Sequence, residues 1–147
     1  GGDNSAIANA IVLRKTPGCF TNGDVAVTTV DRYSVVTVIR FTRPTLVGID
    51  VAITVKALSG YTSAVGDAIK AALIAYLNGL TAGQSVIISE LWQAALSADG
   101  GSYPTFSLTA LTANKHGSGY TPDTVDIELN YNEKAETELA YISLFVT

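Results

Sequence analysis

The chain has no methionine, and only one cysteine, one histidine and one tryptophan. A lone thiol, Cys19, closes no internal disulfide, so the fold rests on no disulfide framework, and a reducing compartment suits it. One His and one Cys at opposite ends of the chain do not make the converging ligand set that a structural metal requires. Asp123 and Asp126 lie close together but lack the alternating acidic spacing of a calcium loop. Charge is scarce as well: 15% of residues are charged, against roughly 25% in an ordinary soluble domain. Nine Lys or Arg stand against thirteen Asp or Glu, a net charge of −4. That argues against the clustered positive charge that grips phosphates, and no nucleic-acid partner is expected.

Long hydrophobic runs are missing too. No stretch nears the ~18 consecutive apolar residues of a membrane helix. The opening Gly1-Gly2-Asp3-Asn4-Ser5 lacks the basic start and apolar run of a signal peptide, so no membrane partner is expected. Phosphate-binding and dinucleotide-binding glycine loops are absent, and Gly117-x-Gly119 does not replace them. On these grounds no catalytic, cofactor-binding or metal residue is assigned, and neither a cofactor nor an enzymatic activity is expected. A natural chain starts with Met, so this one is expected to be an interior or C-terminal piece of a longer protein, with Gly1-Gly2 as an added remnant.

What is present is a core. The 147 residues, 48% of them hydrophobic, amount to about one domain and exclude disorder. Residues 6–13 suit a short helix, which Thr16-Pro17-Gly18 ends. Period-two runs at 25–30 and 35–41 predict a hairpin around Asp31-Arg32-Tyr33-Ser34. In the next strand Ile49, Val51, Ile53 and Val55 share one face, and Asp50, Thr54 and Lys56 the other. Val65, Ile69, Leu73 and Leu77 mark the strongest helix, with Thr62 or Ser63 as its N-cap and a Schellman-type stop at Asn78-Gly79-Leu80. A short strand at 86–88 precedes a second helix, 90–97, capped by Ser89 and stopped at Asp99-Gly100-Gly101. Strands are predicted at 106–111, 125–131 and 139–146, with a mobile loop at 113–123 and a solvated charged turn at 132–136. The expected class is α+β: a mostly antiparallel or mixed sheet with two main helices on one face. Residues 1–24 form an N-terminal helix and linker, and 25–147 a single domain.

Few side chains invite chemistry. His116, Ser118 and Asp123 share one Gly-containing segment, which makes a small hydrolase conceivable, although triad members normally come from separate rigid elements. Cys19 has no basic neighbour after it and is expected to be a semi-buried, unactivated thiol. Trp92, at helical spacing with Leu96, is expected in the core; exposed beside Tyr103 or Tyr120 it would instead suit carbohydrate or receptor binding. Arg40 and Arg43 flank Phe41 and fit two roles, strand-end charges or anchors to an acidic neighbouring chain.

The order of short motifs carries a resemblance. Thr16-Pro17-Gly18-Cys19-Phe20-Thr21-Asn22-Gly23 resembles the signature that precedes the C-terminal domain of baseplate J-like tail proteins of contractile phages. Ile39-Arg40-Phe41-Thr42-Arg43-Pro44-Thr45, with Val47 and the strand after it, is similar to the start of that domain. Ala68-Ile69-Lys70-Ala71-Ala72-Leu73, then Tyr76-Leu77-Asn78-Gly79-Leu80, Gly83-Gln84 and Ser89-Glu90-Leu91, resemble its helical region, and residues 125–130 with Asn132-Glu133 its closing pattern. The likeness spans most of residues 14–147; Cys19-Phe20 and the segment 113–123 depart from it. It implies a virion structural protein of the tail baseplate, assembled in the bacterial host cytoplasm. The implied partners are other wedge subunits and neighbouring copies of itself, as a homo-oligomer, and no catalytic residue is carried over.

Overall fold

A computed structural model describes residues 2–98, 104–118 and 124–147. The chain forms two compact units, 1–43 and 44–147. The expected division at 24/25 is thus displaced to 43/44. The reason lies in where the hairpin buries its inner face.

In the first unit, helix α1 (Asn4–Arg14) starts at Asp3, whose carboxylate accepts from the amides of Ser5 and Ala6. Ala8 and Val12 of α1 bury against Ile39, with Ile11, Val27 and Phe41 around them. Strands β1 (Val25–Val30) and β2 (Val36–Phe41) pair antiparallel, with Val30 opposite Val36 and Val25 opposite Phe41. Asp31 builds their turn by accepting from the amides of Tyr33 and Val35 at 2.8 and 2.9 Å. These two strands form a sheet of their own and leave the main sheet to the second unit.

The second unit is an α+β layer pair. Strand β3 (Thr45–Ala57) lies at its centre. On one side it pairs antiparallel with β4 (Phe106–Lys115). Along its other side run two parallel partners, β5 (Glu133–Glu136) beside 45–48 and β6 (Ile142–Val146) beside 51–55. The sheet is therefore mixed. Helices α2 (Ser63–Gly79) and α3 (Ile88–Ser97) cover the face that carries Ile49, Val51, Ile53 and Val55. Ile69, Leu73, Leu77, Leu91 and Ala95 fill the space between. Each of these fully buried Ile and Leu side chains contributes about 1.5–3 kcal/mol relative to exposure.

Several expected elements differ. Residues 125–131 form no strand; a single antiparallel bridge joins Ile127 to Val86, and the strand expected at 86–88 shrinks to that bridge. Within the charged turn expected at 132–136, residues 133–136 are strand β5 instead, because Ala135 plugs the core beside Val47 while Lys134 and Glu136 alternate to the other face. Residues 113–115, expected in a loop, complete β4, and 139–141 form a 3-10 turn before β6. Gly79 is the last helical residue of α2, not a left-handed cap; Leu80 is extended and buries its side chain, which stops the helix. Thr62 stands at the N-cap of α2 but makes no side-chain capping bond. Ser89 lies inside α3, whose N-cap is Ile87. The stop expected at 99–101 lies outside the described residues.

Candidate functional site

A polar side-chain cluster gathers on the face of the main sheet opposite the helices. Asp50 points out from β3, and His116 follows the end of β4. The Nδ1 of His116 lies 2.9 and 3.1 Å from the two carboxylate oxygens of Asp50, and its ring stacks on Tyr141 with centroids 4.3 Å apart. Gly48 lets this happen: a Cβ there would sit 2.9 Å from that of His116 and 3.2 Å from the Tyr141 ring.

A His–Asp pair orients an imidazole, but acyl transfer also needs a nucleophile within reach of the other ring nitrogen. Ser118 does not provide it, since its hydroxyl donates to the carbonyl of Lys115. Among the described residues His116 and Ser118 are not hydrogen-bonded to each other, and the carboxylate that His116 meets is Asp50. Asp123, the third member of the expected constellation, lies outside the described residues. Asp50 escaped sequence reasoning because 66 positions separate it from His116. Its one signal was its place on the polar side of an otherwise apolar strand.

A second polar pair joins the helices. The Tyr76 hydroxyl donates to Glu90 at 2.6 Å. Burial, then the hydrogen bond and charge of Glu90, push the phenol well above its usual range, so it stays neutral and holds its proton. Glu133 is held below the usual carboxylate range, first by the backbone amide of Asn130, 2.9 Å away, then by the Asn130 side chain and Lys115. No group of three or more candidate metal ligands occurs among the described residues. Nor is any helix among them long and apolar enough to cross a membrane.

The larger feature is a surface. Along the hairpin, Val27, Ile39 and Phe41 turn inward to α1, while Ala26, Thr28, Val30, Val36, Val38 and Arg40 turn outward. Val30, Val36 and Val38 remain 54%, 69% and 52% exposed. Phe20 is fully exposed on the preceding loop, which lines a groove with Lys15, Cys19, Val38 and Arg40. That loop is fixed to β2, because Thr21 Oγ1 accepts from the Arg40 amide at 2.8 Å. The hairpin thus presents an exposed apolar cross-strand face with one cationic end.

The remaining expected residues fall as follows. Cys19 is exposed, not semi-buried, because it rides on this loop at the rim of the groove. The two arginines separate in role. Arg43 donates to Asn4 Oδ1 at 2.7 Å and to the Gly2 carbonyl, tying down the start of α1, whereas Arg40 stays exposed on the open face. Trp92 packs partly buried against the core, and Tyr103 and Tyr120 lie outside the described residues. Compared with known proteins, the chain matches no family model and no curated relative.

Proposed function

We propose that this chain is a structural component of the baseplate of a contractile phage or phage-like tail, acting through protein–protein contacts. The observation that carries the assembly role is the open face of the β1–β2 hairpin, where three valines and a fully exposed Phe20 lie beside Arg40. Apolar side chains in this arrangement are stabilised when a partner removes them from water, and solitary soluble chains seldom gather them on one strand pair. The assignment to a tail rests on the ordered motif series from Thr16 to Glu133. The partners in this reading are wedge subunits and further copies of the chain, and its place is the virion.

The test is made on particles. Contractile tails purified from a lysate of the source bacterium are probed with an antibody against this chain, by immunogold microscopy. Label at the tail tip is the expected result. Intact tails that carry no label, and that still form when the gene is deleted, would refute the proposal.

A further inference from the structure

Charge is unevenly divided between the two units. Residues 1–43 carry five Lys or Arg and three Asp or Glu, whereas 44–147 carry four and ten. The units are thus +2 and −6, which together make the −4 of the chain. In the second unit the acids concentrate near its end: 124–139 holds Asp126, Glu128, Glu133, Glu136 and Glu138 against Lys134 alone.

Two of those acids are already engaged. Asp126 accepts from the Ile88 amide, and Glu133 accepts from Asn130 and pairs with Lys115 at 3.6 Å. Glu136 and Glu138 are exposed, on either side of buried Thr137, and Leu139 beside them is 62% exposed. This corner is apolar and anionic. The hairpin face is apolar and cationic, with Arg40 its one ionic side chain.

We propose that the open hairpin face of one copy docks on the 136–139 corner of the next copy, head to tail. The claim rests on the assembly reading above and deepens it by naming the partner and both surfaces. A symmetric contact of the two outward strand faces would bring Arg40 onto a face that carries no acid. A head-to-tail contact sets opposite charges together and buries the valines and Phe20 against Leu139. Because the two surfaces differ, a docked pair still has one head and one tail free, and the contact propagates into a ring or a filament.

The experiment uses the full chain. Light scattering after size exclusion, and sedimentation velocity, are run from about 10 μM to about 1 mM protein, in about 0.05 M and about 0.5 M NaCl. A head variant carries Val38→Ser and Arg40→Glu. A tail variant carries Glu136→Lys, Glu138→Lys and Leu139→Ser. All five side chains are exposed or at a rim, and circular dichroism checks that both variants fold.

The expected wild type associates with rising concentration, and high salt weakens it about tenfold or more. Each variant alone is monomeric. Mixed, they form a 1:1 pair and nothing larger, because only one good head and one good tail remain. A wild type that stays monomeric throughout overturns the contact, as does association that survives in both variants, or a mixture that fails to pair. None of these outcomes touches the tail assignment, which fails only if purified tails lack the chain.

Discussion

The side-chain amide of Asn78 and the backbone of Thr137 hydrogen-bond to each other twice. Asn78 Oδ1 accepts from the Thr137 amide at 3.0 Å, and Asn78 Nδ2 donates to the Thr137 carbonyl at 3.1 Å. An amide group thereby stands in for a neighbouring strand just where β5 ends. The Thr137 hydroxyl completes the arrangement by donating to the Ile49 carbonyl at 2.9 Å.

Asn78→Ala should therefore cost about 2–3 kcal/mol, since it strands both backbone groups of a buried residue. Thr137→Val, which gives up only the hydroxyl bond, should cost about 1 kcal/mol. Urea unfolding measures both as a shift in midpoint at constant slope. Equal, small losses would mean that water reaches Thr137 and that the pair does not hold the strand end.

The N-terminus of α3 gives a prediction that opposes two caps. Ser89 was the local candidate, but the bond is made from a distance: Asp126 Oδ1 accepts from the Ile88 amide at 2.8 Å. A carboxylate at that end also meets the positive pole of the helix dipole. Asp126→Ala is expected to destabilise by about 1 kcal/mol, Asp126→Asn by less, and Ser89→Ala by no more than a few tenths. The same unfolding assay ranks the three. A larger loss at Ser89 than at Asp126 would reverse the assignment.

Asp126 illustrates where local pattern stops being sufficient. The helices at 63–79 and 88–97 and strand β3 were legible because their apolar residues recur at 3.6 or 2.0 positions over many turns. Residues 125–131 alternate just as well, yet they form only the bridge at Ile127. Their polar groups serve elsewhere, the Asp126 side chain on α3 and the Asn130 backbone amide on Glu133. Residues 133–136 looked like a solvated turn because three of the four are charged, and only Ala135 enters the core. Strand β4 shows a signal that was present but unread. Its apolar phase slips between Leu108 and Leu111, and a bulge there, with Thr109 donating to the Thr54 carbonyl, keeps Phe106, Leu108, Leu111 and Ala113 all on the core side. The hairpin was legible as a hairpin, but not its separation from the main sheet. Nothing in a two-residue period says which neighbour, α1 or β3, will cover it.

Tyr76 predicts the alkaline limb of stability. Its folded-state pKa is raised, by burial first and Glu90 second, so the unfolded chain ionises first. The contribution of Tyr76 is complete below the usual phenol value of about 10 and is lost as pH rises above it. Tyr76→Phe should cost about 1 kcal/mol at neutral pH, because Glu90 loses its donor, and should flatten the fall in stability above about pH 10. Denaturant midpoints from neutral pH upward test both. An unchanged alkaline slope would show that another group governs it.

Glu133 predicts the acid limb with the opposite sign. Its folded-state pKa is lowered, chiefly by the Asn130 amide, so the unfolded chain takes up its proton first. The stabilisation is present above the ordinary glutamate range and disappears as pH falls through the lower, folded value. Glu133→Gln should abolish this part of the acid dependence and leave midpoints above neutral pH the less sensitive to Lys115→Ala. Should the variant and the wild type unfold with the same acid profile, the Asn130–Glu133 bonds do not persist in solution.

Gly23 sets the geometry on which the open hairpin face depends. It has φ +147°, and a Cβ there would lie 2.1–2.5 Å from the backbone of Phe41, the last residue of β2. Any side chain must push the incoming loop away from the strand, and that loop carries Phe20 and the Thr21 hydroxyl that accepts from Arg40. Gly18 is the matched control, with φ +81° but open space where its Cβ would point. Gly18→Ala should cost about 1 kcal/mol, for conformation alone. Gly23→Ala should cost about 2–3 kcal/mol, since crowding is added to strain. Amide hydrogen exchange localises the effect: faster exchange at Arg40 and along β1 and β2 is expected, with β3 and β4 unchanged. If Gly23→Ala matched Gly18→Ala in both size and location, the loop would not be seated against Phe41, and the face built from Phe20, Val38 and Arg40 would lose its rigid support.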